Sequence, residues 1–163
     1  MGDVAEEINP YSGQMMLRRL DVRKPEQMWL EGTFESIESE RVPGAYYVPA
    51  ELRAAIERLQ AHGIRIERMA QQASVDVEEF HIDSNRVAPQ AFEKHQERTV
   101  TGKYEPVRRA VPVGTYRVSM NQPLARLAFY LLEPRSNDGL LTWNFLDDAL
   151  KNATVYPILR TLN

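Results

Sequence analysis

The stretch from residue 45 to residue 69 constrains the fold most, because it has the pattern of a strand, a helix and a second strand. Ala45–Val48 is a short apolar run of the kind found in buried strands. Apolar residues then recur at helical spacing at Leu52, Ala55, Ile56 and Leu59. Gly63 is placed to end this helix, and residues 64–69 alternate between apolar and polar as a half-buried strand does. The pattern predicts a compact βαβ unit, whose strands run parallel if they share a sheet.

Further strands are predicted downstream of this unit. Residues 75–82 favour a strand, because apolar and polar residues alternate over most of the segment. Residues 97–112 have the composition of a hairpin, in which Thr101, Gly102 and Lys103 supply a plausible turn. A sheet with several strands beyond the βαβ unit is therefore expected.

A second helix is predicted over residues 124–132, where leucine and alanine repeat the core spacing before Pro134 stops the helix. Residues 140–150 favour a short third helix, and residues 156–160 favour a last strand. Pro157 indicates an edge or starting position for that strand, since proline donates no hydrogen bond to a ladder. These elements predict the α+β class, with a mixed β-sheet that includes the βαβ unit and with two or three helices.

The first part of the chain has weak periodicity. Residues 1–27 are predicted to be an extended arm or linker, and residues 28–163 a single α+β domain. Within that domain, residues 28–39 favour a strand, because Trp, Thr, Phe and Ile are common in strands. The acidic start lacks the profile of a signal peptide, and no window approaches the roughly 18 apolar residues of a membrane span. These features leave the localisation unknown.

Composition excludes several kinds of chemistry. The 23 acidic and 20 basic residues give a formal charge of −3, which is too balanced for a nucleic-acid-binding face. Cysteine is absent, which excludes disulfides and thiolate nucleophiles. The three histidines, His62, His81 and His95, lie outside any spacing typical of a zinc site, and no phosphate loop or nucleophile motif is present. We therefore predict no catalytic, cofactor-binding or metal-ligating residue in this chain.

One group of polar residues near the predicted helix ends is not accounted for by a core. It comprises Arg126, Arg135, Asn137 and Asp138, followed by Trp143. These side chains could fix the loop before Trp143, or they could form an interaction surface. We take them as the candidate interaction residues.

Residues 112–148, which include the run PLARLAFYLLEPRSNDGLLTWNF, resemble the segment beyond the catalytic domain in bacterial zinc carboxypeptidases of the M14 family. The upstream run VPGAYYVPAELRAAIERLQAHGIRIERM is similar to the start of the same appended domain. The resemblance extends from about residue 41 to residue 160, nearly three-quarters of the chain.

That resemblance implies an accessory role. The family holds its catalytic zinc with an H-x-x-E pair and a distant histidine in a separate domain, and no position here matches those motifs. The resemblance thus implies a non-catalytic folding, regulatory or interaction domain, whose partner is an M14-like catalytic domain in the same chain or in another. It also implies an exported parent enzyme in many cases. A free-standing peptide- or glycan-binding module and a cryptic metal-dependent hydrolase using His81 or His95 stay as alternatives. The oligomeric state is left open.

Overall fold

The computed structural model describes residues 2–162 apart from Lys24, Glu26, Phe34 and Ile37. The chain divides into two compact units, Met1–Ser39 and Glu40–Asn163. The described residues form two sheets and three helices, which is compatible with the α+β class but is mostly β. None of the described helices has the length and apolar character needed to span a membrane.

The first unit contains an antiparallel hairpin of β1 (Gly2–Ile8) and β2 (Met15–Arg23). The side-chain oxygen of Asn9 accepts hydrogen bonds from the backbone N–H groups of Tyr11 and Ser12, at 2.9 and 3.1 Å, and so shapes the turn. This hairpin lies within the segment predicted to be an arm. The division into an arm of residues 1–27 and a domain of residues 28–163 stays a prediction.

The strand predicted over residues 28–39 is wrong for the residues that the structure describes there. These residues have no strand pairing, and two of the strand-favouring side chains, Phe34 and Ile37, lie outside the described residues. Trp29 and Leu30 are 96% and 92% exposed. Residue preference for strands is not sufficient here, because a strand needs a partner to pair with and a surface to pack on.

The second unit is a six-stranded sheet with three helices. Its elements, in chain order, are β3 (Ala45–Val48), α1 (Arg53–Ala61), β4 (Glu67–Arg68), β5 (Ala73–Val87), β6 (Arg98–Val111), β7 (Tyr116–Ser119), α2 (Ala125–Leu132), α3 (Asp147–Leu150) and β8 (Leu159–Thr161). The strand order is β4-β7-β3-β8-β5-β6. Every pairing between described strands is antiparallel, so the predicted mixed sheet is wrong.

The βαβ unit is present in a split form. Strands β3 and β4 run in the same direction, but β7 lies between them and pairs antiparallel with both. A strand inserted between two parallel strands removes their direct pairing, which is why the sheet contains no parallel ladder. Helix α1 buries Ala55, Ile56 and Leu59, and Gly63 follows it with a φ of +77°, as the sequence predicted.

The predicted hairpin over residues 97–112 is a single strand, β6, which pairs with β5 along its length. A side-chain carbon added at Gly102 would lie 1.9 Å from the backbone oxygen of His81 and 2.9 Å from the Phe80 ring. The pairing register shifts beside it, between Ile82 and Ser84. Glycine is therefore needed at position 102 for close approach of two strands rather than for a turn.

Two other predictions about the end of the chain need correction. The last strand is β8 (Leu159–Thr161) rather than residues 156–160, and it lies in the centre of the sheet between β3 and β5, so the edge alternative is wrong; Pro157 lies just before the strand start, where no ladder hydrogen bond is lost. The third helix is confined to Asp147–Leu150. Residues 140–146 form turns instead, and Asn144 has a φ of +67°, which a regular helix does not accommodate.

The helices pack on one face of the sheet. The main core joins Tyr46, Phe80 and Val118 from the strands to Leu59 of α1 and Leu132 of α2. Full burial of an aliphatic side chain of this size contributes about 1.5–3 kcal/mol. A smaller cluster of Tyr47, Val77 and Val111 lies on the other face and contains no helical residue.

A charged pair beside this smaller cluster makes the stability of the unit sensitive to acid. The Arg109 guanidinium donates two hydrogen bonds to the largely buried Glu79 carboxylate, at 2.5 and 2.7 Å. The hydrogen bond from Arg109 holds the pKa of Glu79 below its ordinary value. The folded state therefore takes up a proton on Glu79 less readily than the unfolded state. The stabilisation is present above the ordinary glutamate pKa of about 4.3 and is lost as the pH falls through the lower folded pKa.

We expect the Glu79→Gln variant to be less stable than the parent at pH 7, and the difference to shrink as the pH falls below about 4. Urea unfolding over a pH series measures this difference. The matched control is Glu57→Gln, which removes one carboxylate from the exposed side of α1. A Glu79→Gln difference that is constant across the series would contradict the assigned role of this carboxylate.

Candidate functional site

A buried polar cluster holds the end of α2 in place. Glu133 is 4% exposed, and its carboxylate accepts hydrogen bonds from the Tyr46 hydroxyl at 2.5 Å and the Tyr104 hydroxyl at 3.0 Å. Burial, and then the neighbouring Glu133 charge, raise the pKa of both tyrosines far above the ordinary value, so both hydroxyls stay protonated as donors. The Glu133 carboxylate thus has hydrogen-bond partners at the point where α2 ends and a loop begins.

Arg160 is the buried cation of this cluster. Its guanidinium is 3.2 Å from Glu133, 2.7 Å from Glu78 and 3.1 Å from Glu40. The guanidinium carbon also lies 3.3 Å from the centroid of the Tyr104 ring. Among the described residues, every buried side-chain polar atom has a hydrogen-bond partner. The cluster is therefore a completed structural network that ties β8 to α2.

The loop after Glu133 folds back onto α2. The Ser136 N–H donates to the backbone oxygen of Glu133 at 3.2 Å, and the Thr142 hydroxyl donates to the backbone oxygen of Ser136 at 2.8 Å. Gly139 is packed against this loop, because an added side-chain carbon there would lie 3.0 Å from the Ser136 side chain and 3.1 Å from the Tyr130 backbone oxygen. The result is a tight loop that ends at Trp143.

Two aromatic side chains are oriented by polar residues of this loop. The Trp143 ring N–H donates to the Asp138 carboxylate, and the Tyr130 hydroxyl donates to the side-chain oxygen of Asn137 at 2.5 Å. Because the polar tip of each ring is already engaged, the rings offer their apolar surfaces to the surroundings.

These rings line a cleft of about 280 Å³ between α1, α2 and the loop. The lining includes Arg58, His62, Leu127, Tyr130, Trp143 and Phe145. The Arg58 guanidinium lies 4.9 Å from the centroid of the Phe145 ring, a distance that permits a cation–π contact. The cleft is thus mainly apolar, and its polar lining consists of Arg58 of α1, His62 directly after α1, and Asp138.

The structure places the five predicted interaction residues in different surroundings. Asp138 and Trp143 line the cleft, and Asn137 orients one of its walls through Tyr130. Arg135 instead forms an ion pair with Glu40. Arg126 is exposed on α2 and does not line the cleft.

The sequence interpretation missed the contribution of α1 to this site. Arg58 and His62 are four residues apart and therefore lie on the same side of the helix. This spacing indicates that Arg58 and His62 belong to the same surface of the protein. It could not reveal that Phe145, more than eighty residues later in the chain, packs beside Arg58.

The three histidines have different neighbours. His81 is 4.0 Å from Glu79 and 3.6 Å from Glu105, whereas His95 packs edge-on to Trp143 with ring centroids 5.3 Å apart. His62 belongs to the cleft. Within residues 2–162, omitting the four undescribed positions, no three histidine or acidic side chains are grouped as a metal site requires. That the chain uses no metal stays a prediction.

Part of the chain is similar to part of several fungal carboxypeptidases. It is 27% identical over 118 residues to Carboxypeptidase 2 of Trichophyton tonsurans, which covers 72% of this chain and 22% of the relative. The Trichophyton equinum protein of the same name gives the same figures. Probable carboxypeptidase 2 of Arthroderma benhamiae is 28% identical over 106 residues, covering 65% of this chain and 20% of the relative. The chain therefore spans about a fifth of the length of these relatives. No family model and no solved structure matches it.

Proposed function

We propose that this chain provides a non-catalytic accessory domain of a zinc carboxypeptidase of the M14 family. The observation that carries the proposal is the extent of the match, which takes up most of this chain but only 22% of Carboxypeptidase 2 of Trichophyton tonsurans. A match of this extent fits one region of a larger enzyme. The M14 assignment, the bacterial setting and the zinc of the parent enzyme come from the resemblance in residues 112–148.

The side-chain chemistry supports a role without bond cleavage. The buried ionisable groups Glu133 and Arg160 bind each other and the surrounding tyrosines, so they are not poised to act on a substrate. The proposed partner is an M14-like catalytic domain, in the same chain or in another. In this arrangement the accessory domain contributes folding, regulation or positioning to the enzyme.

We expect the purified chain to release no C-terminal residue from peptides, with or without added zinc, because an accessory domain does not itself cleave the substrate. Mass spectrometry of the incubated peptides measures the release, and elemental analysis measures bound metal. The intact Trichophyton tonsurans protein serves as the positive control. Stoichiometric zinc together with peptide cleavage would refute the proposal in favour of a metal-dependent hydrolase.

The partner is tested by association. Carboxypeptidase 2 of Trichophyton tonsurans is produced intact and without the region that matches this chain. We expect the shortened protein, but not the intact one, to bind this chain in calorimetry, because only the shortened protein has a vacant docking surface. If this chain binds neither the intact nor the shortened carboxypeptidase, the result would count against an accessory domain that docks on this enzyme.

The cleft favours a second candidate function, that of a peptide- or glycan-binding module. Its walls include the aromatic rings of Tyr130, Trp143 and Phe145, and mainly apolar clefts with a few polar groups are the usual form of small-ligand sites. A binding module and an accessory domain are compatible, since an accessory domain can hold a ligand for its enzyme.

A further inference from the structure

The basic side chains at the cleft lack anionic partners. The Arg58 guanidinium contacts the Phe145 ring but forms no hydrogen bond or ion pair with another described residue. The His62 side chain likewise has no hydrogen-bond partner among the described residues. By contrast, the Asp138 carboxylate at the cleft accepts a hydrogen bond from Trp143. Arg58 therefore offers unused hydrogen-bond donors for an anion, beside an Asp138 carboxylate that retains acceptor capacity of its own.

The geometry of Arg58 leaves it able to bind a carboxylate. The Arg58 guanidinium carbon lies over the Phe145 ring at 4.9 Å from its centroid, a contact that uses none of the N–H donors of the guanidinium. A planar fork of N–H donors matches the two oxygens of a carboxylate, and such charge-assisted pairs are the stronger hydrogen bonds in proteins.

The rest of the cleft suits an apolar group of limited size. Leu127, Tyr130, Trp143 and Phe145 form apolar walls, and hydrogen bonds to Asn137 and Asp138 already engage the polar tips of Tyr130 and Trp143. A volume of about 280 Å³ is at the lower end of the roughly 300–1,000 Å³ range of small-ligand sites, a size that suits one amino-acid residue. The cleft therefore fits one residue rather than an extended chain.

We propose that this cleft binds a single apolar amino-acid residue through its side chain and its free α-carboxylate, with Arg58 binding the carboxylate. The inference rests on the second candidate function, the binding module, and specifies its ligand. The same chemistry occurs at the C-terminus of a peptide and in a free amino acid. The ligands of the test distinguish these two sources.

The test uses the fluorescence of Trp143. The chain has two tryptophans, and Trp29 is 96% exposed, so Trp29→Phe leaves Trp143 as the only reporter without disturbing a packed site. The ligands are N-acetylphenylalanine, its uncharged amide, and free phenylalanine. We expect saturable binding of N-acetylphenylalanine and at least about tenfold weaker binding of the amide, because the amide lacks the charge that Arg58 binds.

Two arginine variants complete the test. Arg58→Gln is expected to weaken N-acetylphenylalanine binding at least about tenfold, and Arg126→Gln, a matched loss of charge outside the cleft, to leave it unchanged. Tight binding of free phenylalanine supports the proposal and identifies a free amino acid as the source. Equal affinity for acid and amide overturns it, as does unchanged affinity in Arg58→Gln or no saturable signal up to about 10 mM.

Failure of this inference and failure of the binding-module function give different results. If a neutral oligosaccharide or an amidated peptide changes Trp143 fluorescence while N-acetylphenylalanine does not, the ligand assignment is overturned and the binding module stands. If no ligand of these classes binds, both are overturned. The accessory-domain proposal is tested separately by association with the shortened carboxypeptidase.

Discussion

Replacing Arg160 with methionine is expected to lower the free energy of unfolding by about 3–5 kcal/mol, a typical cost of removing one partner from a buried ion pair. The substitution retains much of the side-chain length but removes the only positive charge that contacts Glu133 within the described residues. Glu133 would stay buried, with Glu78 and Glu40 nearby and no longer bridged by the guanidinium. Urea unfolding at pH 7, followed by circular dichroism, measures the loss.

The matched control is Arg108→Met. Arg108 binds Asp76 at 3.0 Å, but both side chains are largely exposed, at 65% and 60%. Exposed ion pairs contribute about 0–1 kcal/mol, so this variant should unfold close to the parent. Similar losses in the two variants would show that burial does not set the strength of the Arg160 contacts.

The Gly102→Ala variant is expected to lose about 3 kcal/mol or more, at or above the upper end of the usual cost of overpacking. The added methyl carbon would lie 1.9 Å from the His81 backbone oxygen, and backbone cannot move aside as a flexible side chain can. Strands β5 and β6 would have to separate at the register shift beside Ile82, and hydrogen bonds of the longest ladder in the sheet would be lost. Urea unfolding measures the change in stability, and amide exchange locates the opening.

Gly32→Ala is the control for the same chemical change. There the added carbon would meet only the Leu30 side chain, with its nearest atom at an ordinary 3.6 Å. We expect less than about 1 kcal/mol of change, since surface substitutions away from packed features are usually small in effect. A Gly102→Ala protein as stable as this control would mean that the two strands pair differently from the arrangement described.

The sequence was most informative where periodicity is local. Helix α1 and its end at Gly63, strand β5 over residues 75–82, and helix α2 before Pro134 all follow from spacing within a few residues. Which strands become neighbours depends on contacts between distant segments, so the insertion of β7 between β3 and β4 has no local signal.

Gly102 was recognised as a special position, but it was interpreted as part of a turn rather than as a place where two strands approach closely. Glycine marks a turn, a bulge or a place of close backbone approach, and the sequence does not distinguish these uses. The polar neighbours Thr101 and Lys103 favoured a turn, but these side chains lie on an edge strand where water is accessible on one side.

The candidate site was predicted in part. Asp138 and Trp143 are close in sequence, and their pairing across one loop is the kind of contact that sequence proximity indicates. Arg135 belongs to the same run but forms an ion pair with Glu40, ninety-five residues earlier in the chain. The opposite wall of the cleft comes from α1. The amphipathic pattern of α1 indicates that one side of the helix is buried, but it does not indicate which loop packs beside the exposed side.

The central position of β8 has a consequence for biosynthesis. Strands β4, β7 and β3 form one half of the sheet and β5 with β6 the other, and residues 159–161 are the seam between them. While residues 159–161 of a nascent chain are still inside the ribosome, each half of the sheet can form, but the two halves cannot pair through β8. The joined sheet therefore forms only after β8, the last of its strands in chain order, has left the ribosome, and until then the two halves expose strand edges on which chaperones or other nascent chains can act.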